Sequence, residues 1–253
     1  MPKISEILFS IGKAKWYTNL DLLSAYWSIP LAEDSTHLTA FSTHKSRYEF
    51  RRCVMGLTAS ASVFTKALHT VLEGLLDTYD QNLANGKIFY YMDDLIIVSN
   101  DKESNLEKLD LILSRLVKYK LKIKLKKCNF LQDKVEFLGH QINFDGITPI
   151  SNNILKINKF APPQTKTQLQ SFLGLVNYYR NYIPNIAKLA TPLYELLGKN
   201  KIFQWSPDAN TAFDNIKDKL TSGVKLFHPN PGKPFILHTD SSDDSISAIL
   251  SQK

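Results

Sequence analysis

The sequence predicts an α+β fold, and three observations carry that reading. Aromatic and β-branched runs at residues 89–92 and 95–98 flank two adjacent carboxylates, Asp93 and Asp94, closely enough for a hairpin with the pair at its tip. Residues 16–21 alternate as a strand does. Several other segments place apolar residues at helical spacing, and from Thr148 onward helices are punctuated by proline. The Asp93–Asp94 pair is the focus. Two like charges side by side repel unless a cation lies between them, so the doublet is an expensive turn that a metal ion would relieve.

Taken in order, residues 1–15 are amphipathic, with Ile4, Ile7, Leu8 and Ile11 on one face. The strand at 16–21 closes on Asp21. That carboxylate either meets the doublet, if the strands are sheet neighbours, or caps the segment from Leu22 to Tyr26. Residues 37–52 form a hairpin around His44 to Ser46. A helix follows from about Ala59 to Leu76, with Val63, Phe64, Ala67, Leu68, Val71, Leu72 and Leu75 inward. Residues 77–87 are a polar connection with Asn85–Gly86 as a turn, leading into the hairpin of the doublet.

Residues 101–119 are an amphipathic helix, with Leu106, Leu109, Leu113, Leu116 and Val117 inward. Lysine alternates with Leu121, Ile123 and Leu125 over residues 120–127, the period of a strand. Those lysines either guard a sheet edge or face phosphate. Another hairpin spans residues 135–142, with a turn at Asp145–Gly146. Pro162–Pro163 is a stop. Thr165 with Gln168 has capping-box spacing for a helix through about Tyr182, and Pro184 breaks it. Ile186, Leu189, Ala190, Leu193, Leu196 and Leu197 mark the next helix. Ser206–Pro207–Asp208 caps a helix that runs to Gly223. Residues 235–240 form a strand ending on Asp240, and a second strand begins at Ser245.

Composition bounds the function. A chain of 253 residues with 43% hydrophobic and 22% charged residues is long enough to build a sizeable core. Its apolar runs fall short of the roughly 18 residues of a membrane span, and no signal peptide is recognisable at its start. Cys53 and Cys128 supply neither a disulfide framework nor zinc-ligand spacing, and the six histidines form no cluster. A formal charge of +7 and a pI of about 9.2 favour a polyanionic partner.

The ordered set of motifs resembles reverse transcriptase. Asp21-Leu22-Leu23-Ser24-Ala25-Tyr26 and Tyr91-Met92-Asp93-Asp94 carry the likeness, with Ala40-Phe41, Tyr48-Glu49-Phe50 and Gly56-Leu57 between them. Lys127-Cys128-Asn129-Phe130, Phe137-Leu138-Gly139-His140 and Gly146-Ile147-Thr148-Pro149 are similar to the polymerase of gypsy-type long-terminal-repeat retrotransposons. So are Phe172 to Arg180 and Trp205-Ser206-Pro207. The final stretch from Phe235 to Gln252 resembles the first hairpin of an attached ribonuclease H domain.

The resemblance implies a right-hand polymerase palm, an antiparallel sheet with helices on one side. Partial fingers join the palm over 1–143, with a helical thumb at 144–198, a connection at 199–232 and a truncated ribonuclease H start at 233–253. It implies an RNA-directed DNA polymerase that moves a nucleotidyl group from a triphosphate to a primer 3′-hydroxyl with two magnesium ions, manganese being the alternative. Asp21, Asp93 and Asp94 would bind the metals, with the Leu22 backbone in the second ion's shell. Tyr26 would lie beneath the incoming sugar and reject a 2′-hydroxyl, Met55 and Gly56 would line the nucleotide pocket, and Met92 would meet the primer end. Lys127, with Lys126 as the alternative, would protonate the pyrophosphate, and Leu138-Gly139-His140 would grip the primer. On the residues alone, without the resemblance, Tyr26 and Met92 read as core packing.

The implied partners are an RNA or DNA template with its primer, deoxynucleoside triphosphates and the rest of a Pol polyprotein, within an intracellular retroelement particle or the cytoplasm and away from membranes. The chain also departs from the family pattern. It opens in mid-fingers, lacking the upstream basic residues that hold the triphosphate, and Val54 to Ala61 lacks the family's prolines and asparagine. Of the ribonuclease H carboxylates it has only Asp240, so ribonuclease H activity is not expected. These departures imply weak or absent synthesis by the fragment. The alternatives are a non-catalytic nucleic-acid-binding remnant and, more distantly, an unrelated two-metal nuclease or phosphatase.

Overall fold

The computed structural model describes residues 3–76, 86–199, 201–230 and 232–252. Helix α1 (Ile4–Ile11) leads into strand β1 (Trp16–Asp21), and 3₁₀ turns at Tyr26–Ser28 and Glu33–Thr39 carry the chain to a short hairpin, β2 (Phe41–Ser42) with β3 (Arg47–Tyr48). Helix α2 (Ser60–Leu72) precedes β4 (Lys87–Tyr91), β5 (Asp94–Ser99) and helix α3 (Lys102–Lys118). The expected polar connection lies outside the described residues from Asp77 to Asn85, the first half of its Asn85–Gly86 turn included.

After a 3₁₀ turn at Leu125–Lys127 come β6 (Asn129–Gln132) and a meander of β7 (Lys134–Phe137), β8 (His140–Asn143) and β9 (Gly146–Pro149). The helices that follow are α4 (Ser151–Asn158), α5 (Lys166–Tyr178), α6 (Ile186–Leu189), α7 (Thr191–Glu195) and α8 (Pro207–Thr221). A last hairpin, β10 (Ile236–Ser241) with β11 (Ile246–Ser251), completes the order.

The central sheet is antiparallel, in the order β4-β5-β1-β6. Its two faces bury different cores, because successive side chains of a strand point to opposite sides. Leu20, Leu95 and Ile97 meet α2 and α3 through Phe64, Leu68, Leu72, Ile112 and Leu116. Tyr17, Ile96 and Val98 meet α1 and the meander through Ile11, Val135, Phe137 and Ile142. A third core joins α4 to α8 around Phe172, Leu193, Phe213 and Ile216. Among the described residues no helix is long and apolar enough to cross a membrane.

Local signals place several boundaries. Asp101 caps α3, accepting from the Ser104 backbone N–H at 2.7 Å. Thr165 accepts from Gln168 N–H at 3.2 Å, and the Gln168 side chain accepts from Gln164 N–H at 2.7 Å, one residue ahead of a capping box. Ser206 caps α8 at 3.1 Å, with Pro207 in the first turn.

Elsewhere the packing overrides the periodicity. Helix α3 turns Asn105, Leu109, Ile112 and Leu116 inward and leaves Leu106 and Val117 outside, Val117 at 77% exposure. The reason is polar. Asn105 accepts from the Thr18 hydroxyl at 2.6 Å and donates to Ser99 Oγ at 3.1 Å and the Trp16 carbonyl at 3.3 Å, and these bonds fix the helix's rotation. Val63, expected inward on α2, is likewise exposed.

The lysine-alternating stretch is not a strand. Leu121 and Ile123 pack on the helix-side core, but the chain then tightens into the 3₁₀ turn and Leu125 stands 67% exposed. The single helix expected over residues 186–197 is two, α6 and α7. Pro192 lies in the first turn of α7, where a missing N–H is tolerated, but it cannot continue α6.

Candidate active site

β1 and β5 pair from Trp16↔Ser99 to Asp21↔Asp94, so the last residue of one strand faces the first of the other. Leu22 N–H donates to the Asp93 carbonyl at 3.1 Å, which makes Leu22 and Asp93 the hydrogen-bonded position. Asp21 and Asp94 therefore occupy the neighbouring non-bonded position, where Cα atoms approach to about 4.5 Å and the side chains share one face. That face is the one opposite α2 and α3.

The tip of the β4–β5 hairpin differs from expectation. Its two turn residues are Met92 and Asp93, and Asp94 is already in the ladder, opposite Tyr91 on one side and Asp21 on the other. Met92 takes the left-handed conformation that the turn needs, at a φ of 52°. For a non-glycine residue this costs on the order of 1 kcal/mol. The strand behind it supplies the rigidity: Leu95, Ile96, Ile97 and Val98 are all at 0% exposure. Asp21 does not cap a helix, since the next helical turn starts only at Tyr26.

The electrostatics gather the three aspartates. The Asp94 carboxyl is pushed above its usual range, first by burial, then by the charges of Asp93 and Asp21, with Lys127 opposing. The Lys127 ammonium is 3.1 Å from Asp21 Oδ2, and that bond raises the lysine. Lys126 is exposed beside it. The Lys124 N–H donates to the Asp21 carbonyl at 2.8 Å and Leu23 N–H to the Lys122 carbonyl at 2.7 Å, so the lysine segment is bound along the edge of the site.

The donor set is three hard carboxylates, which suits magnesium or manganese. Their mutual repulsion is the kind a divalent cation relieves. As they stand, with Asp21 engaged by Lys127, no three ligand-type side chains among the described residues are gathered closely enough to hold an ion. The residues fit the metal in kind, and the Asp21 side chain would have to leave Lys127 to take part. The Leu22 N–H is committed to Asp93, which leaves its carbonyl as the backbone group available there.

Tyr26 belongs to the site as well as to the core. Its ring packs on Phe64 at 5.3 Å, and its hydroxyl is raised by burial and then by the Asp93 and Cys53 charges. The segment before Met55 runs alongside: Cys53 N–H donates to the Ile29 carbonyl at 2.9 Å, and the Arg52 side chain donates to the Ser28 carbonyl at 3.0 Å. Met55 itself is exposed, and Gly56 has a φ of 93° with open space where a Cβ would stand. Leu138 and Gly139 form the β7–β8 turn. Leu138 and Tyr91 of β4 both pack against the meander-side core.

Asp240 is not part of this arrangement. It faces Ser247 across an exposed hairpin. Two features have no counterpart in the sequence reading. One is the buried Asn105 network that locks β1 to β5. The other is the set of tyrosines at the end of α5 that meets the β7–β8 turn. The second had a signal, since Asn177-Tyr178-Tyr179-Arg180 lies within a motif to which no role was attached.

A carboxylate-bearing antiparallel hairpin, with helices on the far face of its sheet and a helical subdomain behind, defines a polymerase-palm class of protein. The comparisons are specific. Residues 1–142 match the family described as reverse transcriptase (RNA-dependent DNA polymerase), and residues 205–253 match the RNase H-like domain found in reverse transcriptase. The chain belongs to the reverse transcriptase family, whose members use divalent metal ions.

Its similarity to Pol polyproteins of transposons covers the whole chain. Identity is 34% over 253 residues with the transposon 297 polyprotein and 35% over 266 residues with that of transposon gypsy, both from Drosophila melanogaster. It is 32% over 253 residues with the transposon Tf2-3 polyprotein of Schizosaccharomyces pombe. The chain spans 23%, 25% and 18% of those polyproteins, respectively. The fold is shared with the foamy viral protease-reverse transcriptase. Its complex with RNA/DNA hybrid matches at a TM-score of 0.83 and 24% identity, over 99% of this chain and 33% of that one. A second structure of it, with double-stranded DNA, matches at 0.84 and 24% over 100% and 43%.

Proposed function

We propose that this chain carries the nucleotidyl-transfer centre of an RNA-directed DNA polymerase from a gypsy-type retroelement. The observation that carries the reading is the register: β1 and β5 set Asp21 opposite Asp94, one residue from Asp93 at the turn. Nucleotidyl transfer joins the primer 3′-oxygen to the α-phosphorus of a deoxynucleoside triphosphate and releases pyrophosphate. Two magnesium or manganese ions, when bound, would lower the pKa of the primer hydroxyl and stabilise charge on the attacking and leaving oxygens.

The chain's own residues do the rest. Asp21, Asp93 and Asp94, with the Leu22 carbonyl, would hold the cations. Lys127 gives up its contact with Asp21 and offers its proton to the leaving pyrophosphate. Tyr26, braced by Phe64, excludes a 2′-hydroxyl from the nucleotide. Met55 and Gly56 line the nucleotide side, and Met92 and the Leu138-Gly139-His140 turn meet the primer. Template with primer, deoxynucleoside triphosphates and the remainder of a Pol polyprotein are the partners, in the cytoplasm or within a retroelement particle. The foamy viral relatives bound to DNA and to RNA/DNA hybrid support the nucleic-acid partner.

A second reading is a duplex-binding chain without turnover. The Lys127–Asp21 ion pair favours it. Primer extension on an RNA template with magnesium, comparing the chain with Asp93→Asn, separates the two. Extension that disappears in the variant supports the polymerase. No extension in either, with duplex binding that weakens as salt rises, supports the second reading.

A further inference from the structure

Both central residues of the β7–β8 turn are left-handed, Leu138 at a φ of 46° and Gly139 at 72°. Such a turn suits hairpins, but Leu adopts it reluctantly, and a tight turn leaves its central carbonyls outside the ladder. Those carbonyls are held from another subdomain. The Tyr178 hydroxyl donates to the Leu138 carbonyl at 2.7 Å, and the Tyr179 hydroxyl donates to the Gly139 carbonyl at 3.1 Å. Asn153 of α4 donates to the Tyr179 hydroxyl at 2.9 Å, so that oxygen is oriented from behind. Ile150 N–H adds a bond to the Gly139 carbonyl at 3.2 Å.

His140, buried next to the turn, has its ring 5.5, 5.6 and 5.7 Å from those of Tyr178, Tyr179 and Tyr182, and its Nδ1 lies 2.6 Å from the Leu138 carbonyl. The fit leaves no slack. A Cβ on Gly139 would come within 3.2 Å of Tyr178 Cε1 and of the Tyr179 hydroxyl oxygen. The turn also shares a core with the β4–β5 hairpin. Leu138 packs in the same core as Tyr91, the residue before Met92, and the Tyr178 hydroxyl is close enough to feel Tyr91.

We infer that Tyr178 and Tyr179 are positioning residues: their hydroxyls clamp the β7–β8 turn to the end of α5, so that the helical subdomain sets where the primer terminus sits relative to Asp93. The clamp rests on the polymerase reading, in which Leu138-Gly139-His140 meets the primer. Neither tyrosine touches the reacting atoms. Each acts through a backbone carbonyl, where 1 Å of displacement is enough to slow a reaction strongly.

The test uses the full chain with Tyr178→Phe and Tyr179→Phe, singly and together, and Tyr182→Phe as control. Phenylalanine keeps the rings around His140 and removes only the hydroxyls. The Tyr182 hydroxyl is buried without a hydrogen-bond partner among the described residues, so its loss should change nothing at the turn. A primer–template duplex carrying 2-aminopurine at the primer 3′ end reports the terminus by its fluorescence, alongside duplex affinity and the single-nucleotide extension rate at saturating chain.

In the double variant the expected result is affinity within about twofold, altered terminal fluorescence and extension about tenfold slower, with Tyr182→Phe like the parent. Unchanged fluorescence in the double variant overturns the clamp. So does a parallel fall in affinity and melting temperature, which would mean mere fold support, or an equal effect of Tyr182→Phe. Altered fluorescence in variants of a parent that does not extend primers keeps the clamp and sinks the polymerase reading. A parent that binds no duplex sinks both.

Discussion

The β4–β5 hairpin and the β10–β11 hairpin are written alike: an apolar run, carboxylates at or near the bend, a second apolar run. Their surroundings differ. β5 is sealed on both faces, and its first residue, Asp94, stands opposite Asp21 from a distant part of the chain. In the second hairpin Leu237 faces Leu250 and Asp240 faces Ser247, with nearly every residue exposed and Ile246 at 86%. Among the described residues its ties to the body include the Gln252 side chain, which donates to the Asn230 carbonyl at 2.7 Å and the Lys233 carbonyl at 3.0 Å. A carboxylate becomes part of a site when buried strands hold it against other carboxylates. The same residue on an unpacked hairpin is only a turn residue.

The sharpest break of this contrast is catalytic. If the proposed centre is right, Asp94→Asn should lower primer extension by about a hundredfold or more, because a charge that would bind the cations is lost. Asp240→Asn should leave extension unchanged. Equal rates for the two variants would remove the distinction between the hairpins. Core deletions come next. Leu95→Ala, at a fully buried position, should destabilise by about 3 kcal/mol, whereas Leu250→Ala on the exposed hairpin should stay within about 0.5 kcal/mol. Urea denaturation of both variants measures the difference, and comparable losses would show that β10–β11 is packed in solution.

A smaller effect has the opposite sign. The Asp94 carboxyl is raised by burial and by Asp93 and Asp21, so at neutral pH its ionised form opposes folding. Asp94→Asn should therefore raise the metal-free melting temperature by about 2 °C while it lowers extension. A lower melting temperature would mean that the ionised carboxylate supports the fold. The smallest effect concerns pH. Burial holds His140 and His228 below the usual histidine range, with the Leu138 and Asn143 carbonyls opposing. The unfolded chain then binds more protons than the folded one once pH falls below about 6.5. Stability is full above that pH and declines from there toward the lowered folded values. The denaturation midpoint should fall between pH 7.5 and 5.5, and less so in His140→Gln. Identical midpoints at the two pH values would refute the assignment.

How much could be read in advance depended on how local each signal was. Strand β1 spans the residues that its alternation marks, and Asp101, Thr165 and Ser206 cap the helices they precede. The order of motifs was enough to place the chain in its family. Asp21, Asp93, Asp94 and Tyr26 were singled out from their motifs, and the strand pairing sets Asp21 opposite Asp94 with Asp93 in the adjoining turn. The lysine stretch misled because period-two spacing does not record where the chain turns: past a single bridge between Leu22 and Ile123 it tightens into the 3₁₀ turn at Leu125–Lys127. In α3, leucine spacing was outweighed by Asn105, whose hydrogen-bond partners lie on β1 and β5.

The amino-acid sequence by itself determined the caps, the helical and extended segments and the ordered carboxylate motifs, because each depends on residues a few positions apart. Only the tertiary structure decided that Asp94 belongs to the ladder rather than the turn, that Asp21 faces it, and that two tyrosine hydroxyls hold the Leu138–Gly139 turn. Strand register and the desolvation of a carboxyl are set by elements far away along the chain, and no local spacing records them.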